Sequence, residues 1–191
     1  MLQNDKLNPS YSHRIRITNV AVRKEVASNL WYLLIFRGHV FFGLIAITVG
    51  PFQFVKRILK GNKSIHRRIG YVYFISVLIS SVCGIMVAPF AMGGWITSLG
   101  FTILSVTWGL ITVKSVLAIR GGDLESHQRW VFYSYGFTFS AITQRTLLLI
   151  PLLTNVSFMP IYQLSAWLPW ILNLIIASLL LKRTNRTLEI V

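Results

Sequence analysis

The sequence predicts an all-α fold, an integral membrane bundle of about five transmembrane helices. Three observations predict it. Hydrophobic residues make up 54% of the 191 residues and charged residues 13%, whereas a soluble domain carries about 25% charge and needs it to cover a wet surface. The mean hydropathy is +0.61. The apolar residues also fall into five runs, each near the roughly 20 residues that cross about 30 Å of hydrocarbon.

The expected spans are about 30–55, 69–92, 95–119, 130–153 and 160–181, preceded by a polar or amphipathic segment 1–28 and followed by a basic tail 183–191. Together they make one transmembrane domain, 29–182. Leu30–Val55 is too long for the core of a signal peptide and lacks a small-residue cleavage pattern after it, so it is expected to stay as a span. Each run contains Gly, Ser, Thr or Pro, which lipid tolerates because neighbouring helices satisfy the backbone and small residues allow close approach. Ser76, Ser80 and Gly84 repeat every four residues, as do Ser105 with Gly109 and Gly136 with Ser140. These spacings read as packing ridges.

Charge is concentrated between the spans. Lys56–Arg68 carries six Lys or Arg and no acid, while Met92–Gly94 and Thr154–Met159 carry no charge. By the positive-inside rule the basic loops and the C-terminal tail are expected on the cytoplasmic side of the cell membrane. Lys6, Arg14, Arg16, Arg23 and Lys24 pull the other way. Ile15, Ile17, Val20 and Val22 could instead lay that segment along the interface. The net charge of +14 thus matches anionic lipid headgroups, and no nucleic-acid motif accompanies it. Trp31, Tyr32, Tyr71, Tyr73, Trp95, Trp130 and Tyr162 lie near span ends and read as an interfacial belt. Trp108, Trp167 and Trp170 lie deeper. Cys83, the single cysteine, is expected to be a small buried hydrophobe.

Ionisable groups inside lipid cost about 2.5–3.5 kcal/mol each on insertion scales, so they mark partners, cavities or roles. Arg37, His39 and Arg145 are such groups. Arg37 is near enough to a span end to snorkel. His39 is 17 residues from Lys56 and Arg145 is 16 residues from Arg129, which puts both roughly 24–25 Å from the basic side. They are expected to meet in the outer half of the bundle, with Thr143 and Gln144 beside Arg145. The pair can form an anion or cofactor site, or simply an interhelical hydrogen bond.

His66, beside Arg67 and Arg68, and His127, near Arg129, form a second constellation on the basic side. Two neutral imidazoles there could hold a b-type haem, with His39, His66 and His127 as the candidate iron ligands and Arg145 or Arg67 pairing the propionates. A headgroup contact or ordinary interfacial polarity would place the same residues. No carboxylate lies within a span, no catalytic signature occurs, and no internal repeat suggests an inverted-repeat carrier. A cofactor- or anion-binding membrane protein therefore stands against a non-enzymatic scaffold that contacts lipids, partner proteins or further copies of itself.

The sequence also resembles the uncharacterised bacterial membrane-protein family named domain of unknown function 2306 (DUF2306), over roughly Gly38 to Ala177. The resemblance rests on His39, Gly50-Pro51-x-Gln53-Phe54-x-x-Arg57 and His66-Arg67-x-x-Gly70-x-x-Tyr73. It continues through Gly93-Gly94, Trp108, Arg120, His127-x-x-Trp130, Ser134-Tyr135, Thr143-x-Arg145 and Ala166-Trp167-x-x-Trp170-x-x-Asn173-Leu174. It implies a multi-pass helical bundle and marks Arg57, His66, His127 and Arg145 as family-type positions, without an activity. Two departures stand out: members often carry an apolar helix before the His39 run, where residues 1–28 are polar, and often Arg where this chain has Tyr133.

Overall fold

A computed structural model describes residues 29–55 and 63–189, with side chains as far as Arg183. The amphipathic segment expected over 1–28, His13, and Arg57 with most of the first basic loop lie outside the described residues. The described residues form helices and no strand.

Helix α1, Leu30–Val49, starts where Asn29 Oδ1 accepts the backbone N–H of Trp31 at 3.0 Å. It ends at Gly50-Pro51, where the missing proline N–H stops the α-helical ladder and the chain tightens into a 3-10 turn, Gly50–Phe54. Glycine is required here by packing, since a Cβ would overlap the Tyr135 ring. Helix α2 is Lys63–Val87 and α3 is Trp95–Arg120. The tight connection between them turns on Gly93 and Gly94, with φ of +87° and +77°, a region in which a Cβ is strained. Helix α4, Leu124–Leu147, is capped by Asp123, whose Oδ1 accepts from the Ser126 N–H at 2.8 Å. Short helices α5, Ile150–Leu153, and α6, Phe158–Ser165, lead into α7, Leu168–Glu189.

Among the described residues four helical stretches are long and apolar enough to cross a membrane, and α6 with α7, bent by 41°, counts as a fifth when the pair is taken as one span. The fifth run is thus broken between Ser165 and Leu168, and its second helix continues into what the sequence reads as a tail. The second and fourth helices begin about six residues earlier than expected, at Lys63 and Leu124 rather than near Ile69 and Trp130. Ser, His and Arg side chains do not end a helix by themselves, and their hydrophilicity marks the membrane edge instead.

The helices pack in chain order, α1 on α2, α2 on α3, α3 on α4 and α4 on α7, with α1 meeting α4 only sparingly. The centre holds Ala46, Tyr73, Val77, Trp108 and Phe137. Ser76, Ser80, Gly84, Ser105 and Ser140 are buried, and the expected ridges do face neighbouring helices. Large aliphatic side chains such as Leu110, Leu117 and Leu179 point outward. That inversion suits a solvent as apolar as leucine, where helices associate through close packing and hydrogen bonds instead of hydrophobic exclusion.

Candidate functional site

The first four long helices and α6 enclose a cavity of about 670 Å³, a volume typical of small-molecule sites. Its walls are mostly apolar. Its polar lining comes from His39 on α1, Ser80 on α2, Ser105 and Trp108 on α3, and Thr138, Gln144 and Arg145 on α4. The two depth-matched residues, His39 and Arg145, therefore line one space.

His39 is seated by α2. Its Nδ1 lies 2.9 Å from the Ser80 carbonyl oxygen, and Ser80 Oγ donates to the His39 carbonyl at 2.9 Å. A carbonyl only accepts, so Nδ1 carries the proton and Nε2 is left with its lone pair. The Nδ1–Cε1 edge of the ring rests against Gly84, where a Cβ would come within 3.1 and 3.2 Å of those two atoms. Ser105 Oγ shares the spot, at 2.6 Å from the same Cβ position. The Nε2–Cδ2 edge is consequently the one turned from α2 toward the cavity.

Arg145 sits in the last turn of α4 and donates from one terminal nitrogen to the Ala141 carbonyl at 2.9 Å. A cation there also favours the negative end of the helix dipole. The remaining guanidinium N–H groups are available to an acceptor in the cavity. Thr143 turns away to bond Asn173 of α7 at 3.1 Å instead of joining Arg145. Arg37 is exposed on α1, in keeping with snorkelling.

At the other end of the bundle, His127 Nδ1 lies 2.7 Å from the Ser115 carbonyl oxygen, which again leaves Nε2 as the acceptor. An Nδ1–H bond of this kind orients many metal-bound imidazoles. His66 is close enough to interact with it electrostatically, and its own Nδ1 is buried with no hydrogen-bond partner among the described residues. Arg67 is exposed beside it. The three candidate histidines do not converge: His39 contacts Ser80, which stands fourteen residues along α2 from His66, roughly 21 Å. Among the described residues no three His, Cys, Asp or Glu side chains are placed to hold a metal ion. Of the three candidate histidines, only His66 and His127 are brought near one another.

Several polar residues here escape a reading of the sequence. Tyr73, expected in the interfacial belt, is 5% exposed and central. Its hydroxyl lies 2.8 Å from both Ser134 Oγ and Thr138 Oγ1. Trp108 Nε1 donates to Thr138 at 3.0 Å, and Thr112 meets Ser134 at 2.6 Å. Trp108 and Thr138 of this network line the cavity. The network's one signal in the sequence is the four-residue spacing of Ser134 and Thr138 and of Trp108 and Thr112. Trp170 packs against the core as expected, whereas Trp167 is only partly buried and donates to the Ile96 carbonyl near the start of α3. Cys83 is half-buried.

Residues 36–181, about three quarters of the chain, match the sequence model of the family described as predicted membrane protein (DUF2306). No curated protein and no solved structure matches the chain significantly.

Proposed function

The chain belongs to the DUF2306 family of predicted membrane proteins, and from that premise we propose that it binds an anionic ligand in the cavity between α1 and α4. One observation carries the reading: His39 and Arg145, on separate helices, line the same largely apolar space. Arg145, which is exposed as well as lining the cavity, supplies a fixed positive charge. His39 supplies an oriented acceptor. In the topology favoured by the charge distribution, the basic loops and C-terminus are cytoplasmic and meet anionic headgroups, and the cavity lies toward the opposite leaflet.

The test is to purify the protein in mild detergent and identify what co-purifies by mass spectrometry. The wild-type protein is expected to retain an acidic molecule that Arg145→Gln loses. Wild-type protein that carries no acid, and takes none up when acids are supplied, would remove the reading. A scaffold subunit gives that result, with partner retention changing on His66→Ala or His127→Ala.

A second reading is favoured by the His127–Ser115 bond and the unpartnered His66 Nδ1. In it His66 and His127 hold a b-type haem at the basic side, with Arg67 pairing a propionate. Such a group would supply one-electron chemistry. Expression with haem supply and a reduced-minus-oxidised spectrum tests it, and the absence of Soret and α bands rejects it.

A further inference from the structure

We infer that the ligand of the α1–α4 cavity is a membrane lipid whose acidic head also carries a hydroxyl, and that it enters sideways from the bilayer. This rests on the reading that the cavity binds an anion, and adds the ligand's chemical class and its route.

The route follows from the lining. Val40, Leu44 and Ile142 line the cavity and are 37%, 61% and 39% exposed, so the cavity is open at the surface there. They lie on α1 and α4, two long helices that meet only sparingly. The seam between them is therefore open to hydrocarbon. Along α1 the lining runs from Tyr32 to Ile47, fifteen residues or roughly 22 Å. This is a length suited to an extended chain and not to a compact ion. The inner half is lined by Leu44, Ile47 and Phe137 with the Trp108 and Thr138 side chains, while the charged Arg145, with Gln144 and Tyr162, stands toward the end nearer the α2–α3 turn. A lipid would place its chain inward along the seam and its head toward Arg145.

The chemistry of the head follows from the donors and acceptors. Arg145 only donates, so it calls for an anionic oxygen. His39 has its Nδ1 proton committed to the Ser80 carbonyl, so Nε2 only accepts and calls for an O–H or N–H. With the Arg145 cation lining the same cavity, charge repulsion disfavours an ammonium and leaves the hydroxyl. A simple carboxylate or a phosphodiester without a hydroxyl answers the first demand and leaves the second unmet. A phosphodiester bearing a free hydroxyl answers both.

The experiment reconstitutes the purified protein in phosphatidylcholine nanodiscs containing equal small fractions of phosphatidylglycerol and phosphatidylmethanol, which share a charge and differ in the hydroxyl. Retained lipid is then counted by native mass spectrometry. The wild-type protein is expected to retain both acids over phosphatidylcholine, and phosphatidylglycerol over phosphatidylmethanol by about fivefold, the effect of one neutral hydrogen bond. His39→Phe should level the two acids and keep both above phosphatidylcholine. Arg145→Gln should abolish the preference for acids. Equal retention of the two acids by the wild-type protein overturns the hydroxyl assignment. Displacement of the retained lipid by soluble glycerol phosphate overturns the lipid assignment and leaves the anion reading standing. No acid preference in the wild-type protein sinks the anion reading itself. The wild-type arms need no variant to fold, so the proposal stays testable if His39→Phe misfolds.

Discussion

Tyr73 Oη lies 2.8 Å from Ser134 Oγ and ties α2 to α4 at the centre of the bundle. Thr138 and Thr112 give their protons to the Ser134 and Trp108 carbonyls, so the Tyr73 hydroxyl donates to Thr138, and the single Ser134 proton serves either Tyr73 or Thr112. Interhelical hydrogen bonds in membranes contribute about 0.6 kcal/mol on average and up to about 1.7. Tyr73→Phe is therefore expected to lower stability by about 1 kcal/mol while the fold persists. Unfolding in mixed micelles measures it, and an unchanged midpoint would show that the hydroxyl carries no net stabilisation.

Gly100 and Gly109 on α3 should respond differently to alanine. A Cβ at Gly100 would stand 2.8 Å from the Ala166 carbonyl oxygen and 2.9 Å from the Trp167 ring, whereas one at Gly109 would stand 3.3 Å from the Ser81 side chain. Backbone oxygen yields less readily than a serine rotamer. Overpacking costs about 1–3 kcal/mol, so Gly100→Ala should lose more stability than Gly109→Ala. The reverse order in a thermal melt would contradict the close approach of α3 to the α6–α7 break.

Asp123 outside the spans makes a pH prediction. The Ser126 backbone N–H and hydroxyl, and the nearby Arg129 charge, hold its carboxyl below the usual carboxylate range. A depressed folded value gives stability that is complete above the unfolded value of about 3.9 and fades as pH falls through the folded one. Asp123→Asn retains a cap and removes the titration. Its melting temperature should thus fall less than the wild type's between pH 5 and pH 3, and parallel curves would refute the assignment.

Topology gives a fourth. In a Cys83→Ser background, Glu125→Cys should be labelled from the cytoplasmic side of bacterial membranes and Met92→Cys from the opposite side. Labelling of Met92→Cys in inverted vesicles alone would reverse the orientation.

The level of His39 and Arg145 was legible in advance because helices that cross one bilayer share a direction and a fixed rise. Their meeting was expected on depth alone, and both line the cavity. Depth does not fix facing, and Tyr73 shows it. Counted from a span start near Ile69 it falls at the interface, but its side of α2 turns inward to Ser134 and Thr138 on α4. The break between Ser165 and Leu168 was hidden too, since an apolar run reads alike whether straight or bent.

The sequence by itself determined that the chain lives in lipid, how many times it can cross, and which end of each span carries the charge, because transfer of polar groups into hydrocarbon is costly enough to dominate every local preference. Only the tertiary structure decided which face of each helix meets which neighbour. Lipid and protein interior are about equally apolar, so no hydrophobic stripe marks the inward face. That choice falls to small residues and to hydrogen bonds between helices, such as Ser80 with His39 and Tyr73 with Ser134, whose partners exist only once the bundle has closed.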